Sequence, residues 1–209
     1  MGFFDWLFGG KEETKTAQGR ASMAIEAAPQ PSADFEPLAR RAVEHLGLIR
    51  PEYIPVLTKM AQESQFGRTE TTARFSRRAG TQLTREEKKA LGLRASVFMS
   101  MEALEMLTDK GRQDPLNALE TTLHRIWFEN NAIREMTRPS STGLGTTHYI
   151  WMSCGDETTC QACWSRNRRR FAYAQARLGQ FPGSCDDCTR GWCRCYAAPV
   201  LPEFRRRPG

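Results

Sequence analysis

The first 153 residues of this 209-residue chain contain no cysteine. All seven cysteines fall between Cys154 and Cys195, so thiol chemistry is confined to the last third. That stretch also lacks histidine, since His45, His124 and His148 all precede it. A catalytic zinc commonly uses imidazole and keeps an open position for water, so the lack of histidine argues against one. It also leaves a cysteine hydrolase without a positioned base. His148 is the only nearby candidate, and a lone histidine beside a strand is usually structural. Long apolar runs are missing too. Met1 to Gly10 is apolar but far too short to span a bilayer. It lacks the basic leader of a signal peptide, and Trp6 stands where a myristoylation signal needs Ser or Thr.

What the last third does contain is Cys160-x-x-Cys163 and Cys185-x-x-Cys188, followed by Cys193-Arg-Cys195. Each CxxC closes a tight turn that aims two thiolates at one point, and two pairs complete a tetrahedral zinc shell. The 21 residues between the pairs slightly exceed the usual gap. Disulfides are the rival reading. The odd cysteine count, the absence of a secretory leader and a chain long enough to bury a core all oppose it. Reduced structural cysteines are a third reading. The plain ligand set is Cys160, Cys163, Cys185 and Cys188. Cys193 and Cys195 are alternates for the second pair, or the six share more than one metal. Cys154 reads as a small apolar residue. An all-thiolate shell is closed, so its metal would hold the fold and do no chemistry, and no catalytic residue is expected. A thiol oxidoreductase would need only one CxxC and leave five cysteines unexplained.

Charge is uneven. From residue 151 onward there are ten Arg, no Lys and five acidic residues, while the first 150 residues balance twenty Lys or Arg against nineteen acids. Arg166, Arg168, Arg169 and Arg170, Arg177, Arg190, Arg194, and Arg205, Arg206 and Arg207 suit bidentate contact with phosphate or carboxylate. Nucleic acid and an acidic protein partner fit equally, and a solvated basic face is the bland alternative.

Three regions are expected. Residues 1–33 are an aromatic peptide (Phe3, Phe4, Trp6, Leu7, Phe8) on a flexible polar linker. The peptide suits docking into a partner groove or folding back on its own domain. Residues 34–139 form a helical domain, and residues 146–209 a Cys- and Arg-rich zinc-binding module. In class terms this is a mainly α N-terminal helical region plus a small α+β zinc-stabilised C-terminal module. Leu38, Val43, Leu46 and Leu48 make a first helical stripe ending near Gly47. Pro51 and Pro55 open a second helix, from Tyr53 to Met60. Residues 66–82 read as loop or weak helix. Thr84-Arg-Glu-Glu87 is a capping box. Val97, Met101, Leu104 and Leu107 continue a helical spacing to Gly111. Asp114-Pro115 opens a helix whose face is Leu116, Leu119, Leu123, Ile126, Trp127 and Ile133. Met99, Met101, Met106 and Met136 read as core filler. Pro139 to Gly145 is a turn-rich break, and Thr147 to Met152 a strand.

From that strand onward the order of motifs resembles the phage minor head, or head-morphogenesis, protein family, which includes the F-like protein of transposable phages. Tyr149-Ile-Trp151 is similar to its Tyr-x-Trp strand. Gly155-Asp156 before Cys160-x-x-Cys163, Asn167 to Phe171, Pro182-Gly183, and Cys193-Arg-Cys195 running to Pro199 follow in the family's order. Arg168 stands where a turn glycine is common, Phe181 where His often precedes Pro-Gly, and Cys185-Asp-Asp-Cys188 is an added loop. The resemblance covers about a third of the chain. It implies a structural protein of the phage head, without enzymatic activity. Such a protein associates with the portal protein and other virion proteins, sits inside the capsid near the DNA vertex, and passes through the host cytoplasm during assembly. Its oligomeric state would be set by the virion, with packaged DNA a further contact. The alternative is a cellular zinc-ribbon protein binding nucleic acid, although no helix is evident within the cysteine block to read a groove.

Overall fold

The computed structural model describes residues 34–64, 69–142 and 145–201. The aromatic peptide residues Phe3, Phe4, Trp6 and Phe8, the linker that follows them, and Arg205, Arg206 and Arg207 lie outside the described residues. Helices α1 to α8 occupy Phe35–Leu46, Ile54–Glu63, Thr69–Arg78, Arg85–Ala90, Met101–Glu105, Asp109–Arg112, Ala118–Thr142 and Gln161–Arg166. Strands β1, β2 and β3 occupy His148–Met152, Arg170–Ala172 and Tyr196–Val200. The architecture is mainly helical, with a small antiparallel sheet and the cysteines gathered beside it.

Helix α1 starts on Asp34, whose carboxylate accepts the Glu36 amide, and stops at Gly47 in the left-handed region (φ 62°). Its stripe buries Leu38, Ala39, Ala42, Val43 and Leu46. Leu38, Ala39, Ala42 and Val43 meet Leu57 and Met60 of α2, Ala73 of α3, and Leu119, Leu123 and Ile126 of α7 in one apolar core. Helix α7 is the spine: α1, α2, α3 and α6 all pack on it.

Several sequence expectations change. Residues 69–78, read as loop or weak helix, form α3; its polar composition hides a narrow contact through Ala73, which is enough to seat it on α7. The spacing from Val97 to Leu107 is not one helix. The Ser100 hydroxyl accepts the Ala103 amide and the Thr108 hydroxyl accepts the Gly111 amide, so each caps a new short helix. Apolar spacing alone does not show such caps, because they compete with helix continuation through the backbone. Met101 and Ile133 are exposed, not core, whereas Met99 and Met106 are buried. The proline at 139 does not end α7, which runs on to Thr142. Only three residues follow it, so its missing N–H falls in the last turn.

The sheet order is β2-β1-β3, antiparallel throughout. Tyr149 faces Phe171 on β2 and Pro199 on β3, and Trp151 faces Ala197. Pro199 is tolerated because β3 is an edge strand. Alternation along β1 buries Tyr149 and Trp151 on one face. That face covers the second core, which consists of Ala132 of α7, Phe181, Ala197 and five buried cysteines.

Candidate metal centre

Three short segments deliver the sulfurs. Cys160 is the N-cap of α8, and its sulfur accepts the Cys163 amide at 3.4 Å. This short helix is the only α-helix within the cysteine block among the described residues, and the sequence reading had none there. Cys185 to Cys188 is a turn closed by the Cys188 amide on the Cys185 carbonyl. Cys193 and Cys195 lead directly into β3, which fixes them against the central strand.

The sulfurs form two triads, Cys160/Cys163/Cys188 and Cys163/Cys193/Cys195, each with all its atoms within 4.8 Å of one another. Cys160 and Cys188 lie 3.7 Å apart, as do Cys163 and Cys193. Four thiolates at ~2.3 Å from a tetrahedral ion are separated by about 3.8 Å. The spacing therefore fits a metal-bound edge, and the cysteine groups are arranged to hold a metal ion. No described cysteine is in a disulfide. Of the plain set, Cys160, Cys163 and Cys188 come together in one triad. Cys185 is fully buried and accepts a hydrogen bond from Arg166 at 2.9 Å. The alternates Cys193 and Cys195 form the other triad with Cys163. Cys154, expected as small and apolar, is exposed, with its thiol donating to the Arg194 carbonyl at 3.4 Å.

Crowding splits the thiols. Hydrogen bonding to the sulfurs of Cys185, Cys188, Cys193 and Cys195, with burial adding, pushes Cys163 far up. Hydrogen bonding with Cys163, Cys188 and Cys195 holds Cys193 far below the ordinary thiol range. Sulfurs this close cannot all ionise unless a cation joins them. The Trp151 indole N–H is buried without a hydrogen-bond partner among the described residues and neighbours the Cys195 sulfur. A metal-bound thiolate there would be a better acceptor than a thiol.

The surrounding side chains tie the centre to the helices. Arg41 of α1 holds Asp186 at 2.5 and 2.6 Å. Arg125 of α7 bridges Asp186 and Glu129, and Arg41 also reaches Glu129 at 3.3 Å. Burial works against the Asp186 carboxylate, but the hydrogen bonds from Arg41 and Arg125 outweigh it and hold its pKa low. For Glu129, burial dominates and pushes the pKa up despite both guanidiniums. A Cβ at Gly179 would fall 2.2 Å from the Asp186 carboxylate and 2.7 Å from Arg41, so the residue must stay glycine (φ 89°) for this clamp to close. Trp192, between Gly191 and Cys193, stacks on His124 (4.5 Å) and Phe128 (5.2 Å) of α7. The sequence reading missed this network. Its visible trace was Arg125 and Glu129 four apart, interrupting an otherwise apolar helix face.

The arginines divide. Arg166 turns inward to Cys185, to Asp187 (2.5 Å) and over the Trp151 ring (5.4 Å). Arg194 holds Asp156 at 2.7 Å. Hydrogen bonds first from Thr158 and then from Arg194 bring the Asp156 pKa down to about 2. Arg168, Arg169 and Arg170 are exposed at the start of β2. Phe181 is fully buried against Tyr149 (ring centroids 4.8 Å apart) and fills space in the module core. No helix among the described residues is long and apolar enough to cross a membrane.

No protein-family model, curated protein or solved structure matches the chain.

Proposed function

We propose that this chain is a structural protein whose C-terminal module is held together by a closed zinc–thiolate centre. The observation that carries this is the gathering of sulfurs from three segments into two triads with 3.7 Å edges, beside the buried Tyr149 and Trp151. All-sulfur surroundings favour zinc among common divalent ions, and a closed shell leaves no position for substrate. Metal analysis of the purified full chain tests it: bound zinc is expected, and a metal-free, fully folded protein refutes it.

The biological setting proposed is the head of a tailed phage, as a minor head or head-morphogenesis protein that associates with the portal. Support comes from the motif order, which acquires a shared structural sense. Tyr149 and Trp151 cover the sulfurs, Cys160-x-x-Cys163 starts α8, and Cys193-Arg-Cys195 leads into the strand paired with β1. The second reading, a zinc-ribbon protein that binds nucleic acid, is favoured by the exposed Arg168, Arg169 and Arg170. A portal pull-down beside a DNA shift assay across salt separates the two. Salt-independent portal binding without a DNA shift eliminates the second reading. If DNA binds, replacing these three arginines with Ala should flatten the salt slope by roughly one unit per lost phosphate contact.

A further inference from the structure

We infer that the centre holds two metal ions joined through the Cys163 thiolate, with Cys160 and Cys188 on one ion and Cys193 and Cys195 on the other. This rests on the metal-centre reading above. The two sulfur triads have a single member in common, Cys163, which therefore lies between two separate binding positions. One tetrahedral ion accepts four sulfurs, and the triads together present five. A sixth, Cys185, is buried in the same sulfur-rich core. Sharing Cys163 gives each ion three thiolates, and Cys185 adds a fourth to one of them. A one-metal centre would instead leave two thiols idle in the most enclosed part of the module, where Cys185 is 0% and Cys193 1% exposed.

Charge agrees. Six thiolates around two divalent ions carry a surplus of two negative charges. Arg166 donates to Cys185 at 2.9 Å, and Arg190 and Arg194 line the hollow above Cys160 and Cys188. Guanidiniums at this position lower the cost of burying a thiolate-rich cluster and orient its ligands.

The test uses the full chain, reconstituted with zinc for native mass spectrometry and with cobalt(II) for spectroscopy. Two zinc ions per chain are expected. The first cobalt should give a high-spin paramagnetic signal that diminishes as the second binds, because a thiolate bridge couples the two spins. One ion per chain at saturation overturns this inference and leaves the structural-metal reading intact, whereas no bound metal overturns both. Two ions with additive signals overturn the bridge. Cys154→Ser should keep two ions, since Cys154 lies outside both triads, and loss of an ion there counts against the assignment. Cys195→Ser should retain only one. Should that variant fail to fold, the wild-type cobalt titration decides alone.

Discussion

Arg168 holds its backbone at φ 60°, the one non-glycine residue with positive φ among those described. A side chain in that region costs about 1 kcal/mol relative to glycine. Arg168→Gly is therefore expected to raise stability by up to about 1 kcal/mol in urea denaturation; a loss of stability would show that the Arg168 side chain does more than decorate a turn. His124 supports a pH prediction. Burial first, with Arg190 adding, lowers its pKa, against Glu120 and Glu70, which raise it. A base with a depressed folded pKa contributes stability that is complete above its unfolded value of about 6.5 and is lost as pH falls, because the unfolded chain binds the proton first. Stability should fall between about pH 7.5 and 5.5. His124→Phe, which keeps a ring against Trp192, should reduce that slope in denaturant melts at the two pH values. An equal slope would place the titration elsewhere, with His45 next in line, since burial lowers it too.

At the scale of elements, the parts written in local chemistry were legible. The Thr84 capping box is formed in both directions, with Glu87 returning to the Thr84 amide at 2.7 Å. Gly47 ends α1, and the aromatic and β-branched run at 147–152 is a strand. Less legible were elements decided by tertiary contact. Helix α3 has no apolar stripe of its own and is seated on α7, while the run from Val97 to Leu107 is cut by hydroxyl caps. Ser100 is fully buried, accepts the Ala103 amide at 3.2 Å and donates to the Ser76 carbonyl at 3.4 Å. Ser100→Ala should cost about 1–2 kcal/mol by loss of the cap and of that second bond, measured by thermal or chemical unfolding. A change below a few tenths would mean that packing of Met99 and Ala103 positions α5 without the hydroxyl. The cysteine cluster was half legible. Of the four CxxC residues, Cys160, Cys163 and Cys188 form one triad while Cys185 belongs to neither, and the place of Cys163 in both triads depends on how three segments fold together.

Over the whole molecule, two cores of different chemistry share α7. The helical core contains no cysteine, and the module core is mostly sulfur and aromatic rings. Chelation is therefore expected to collapse the near-ultraviolet signal of Tyr149, Trp151 and Trp192 while most of the far-ultraviolet helical signal survives. Added zinc should restore it. Simultaneous loss of both signals would mean that the helices depend on the centre. The Arg41, Arg125, Glu129 and Asp186 clamp joins the two cores. Arg125 and Glu129 are 1% and 0% exposed, so Glu129→Gln leaves a buried guanidinium short of charge. It should cost about 3 kcal/mol in denaturation at neutral pH, and a near-neutral result would show that Asp186 alone satisfies both arginines.

The clamp also has a bearing on synthesis. A ribosome delivers Arg41 first, then Arg125 and Glu129, and adds Asp186 only after 56 further residues. If the helical bundle forms before then, it exposes one carboxylate against two guanidiniums, a hollow with a surplus positive charge. The incoming loop, bearing its carboxylate between two thiols, neutralises that hollow as it lands. A nascent chain stalled before residue 186 should therefore bind small anions at this spot, and release from the stall should displace them.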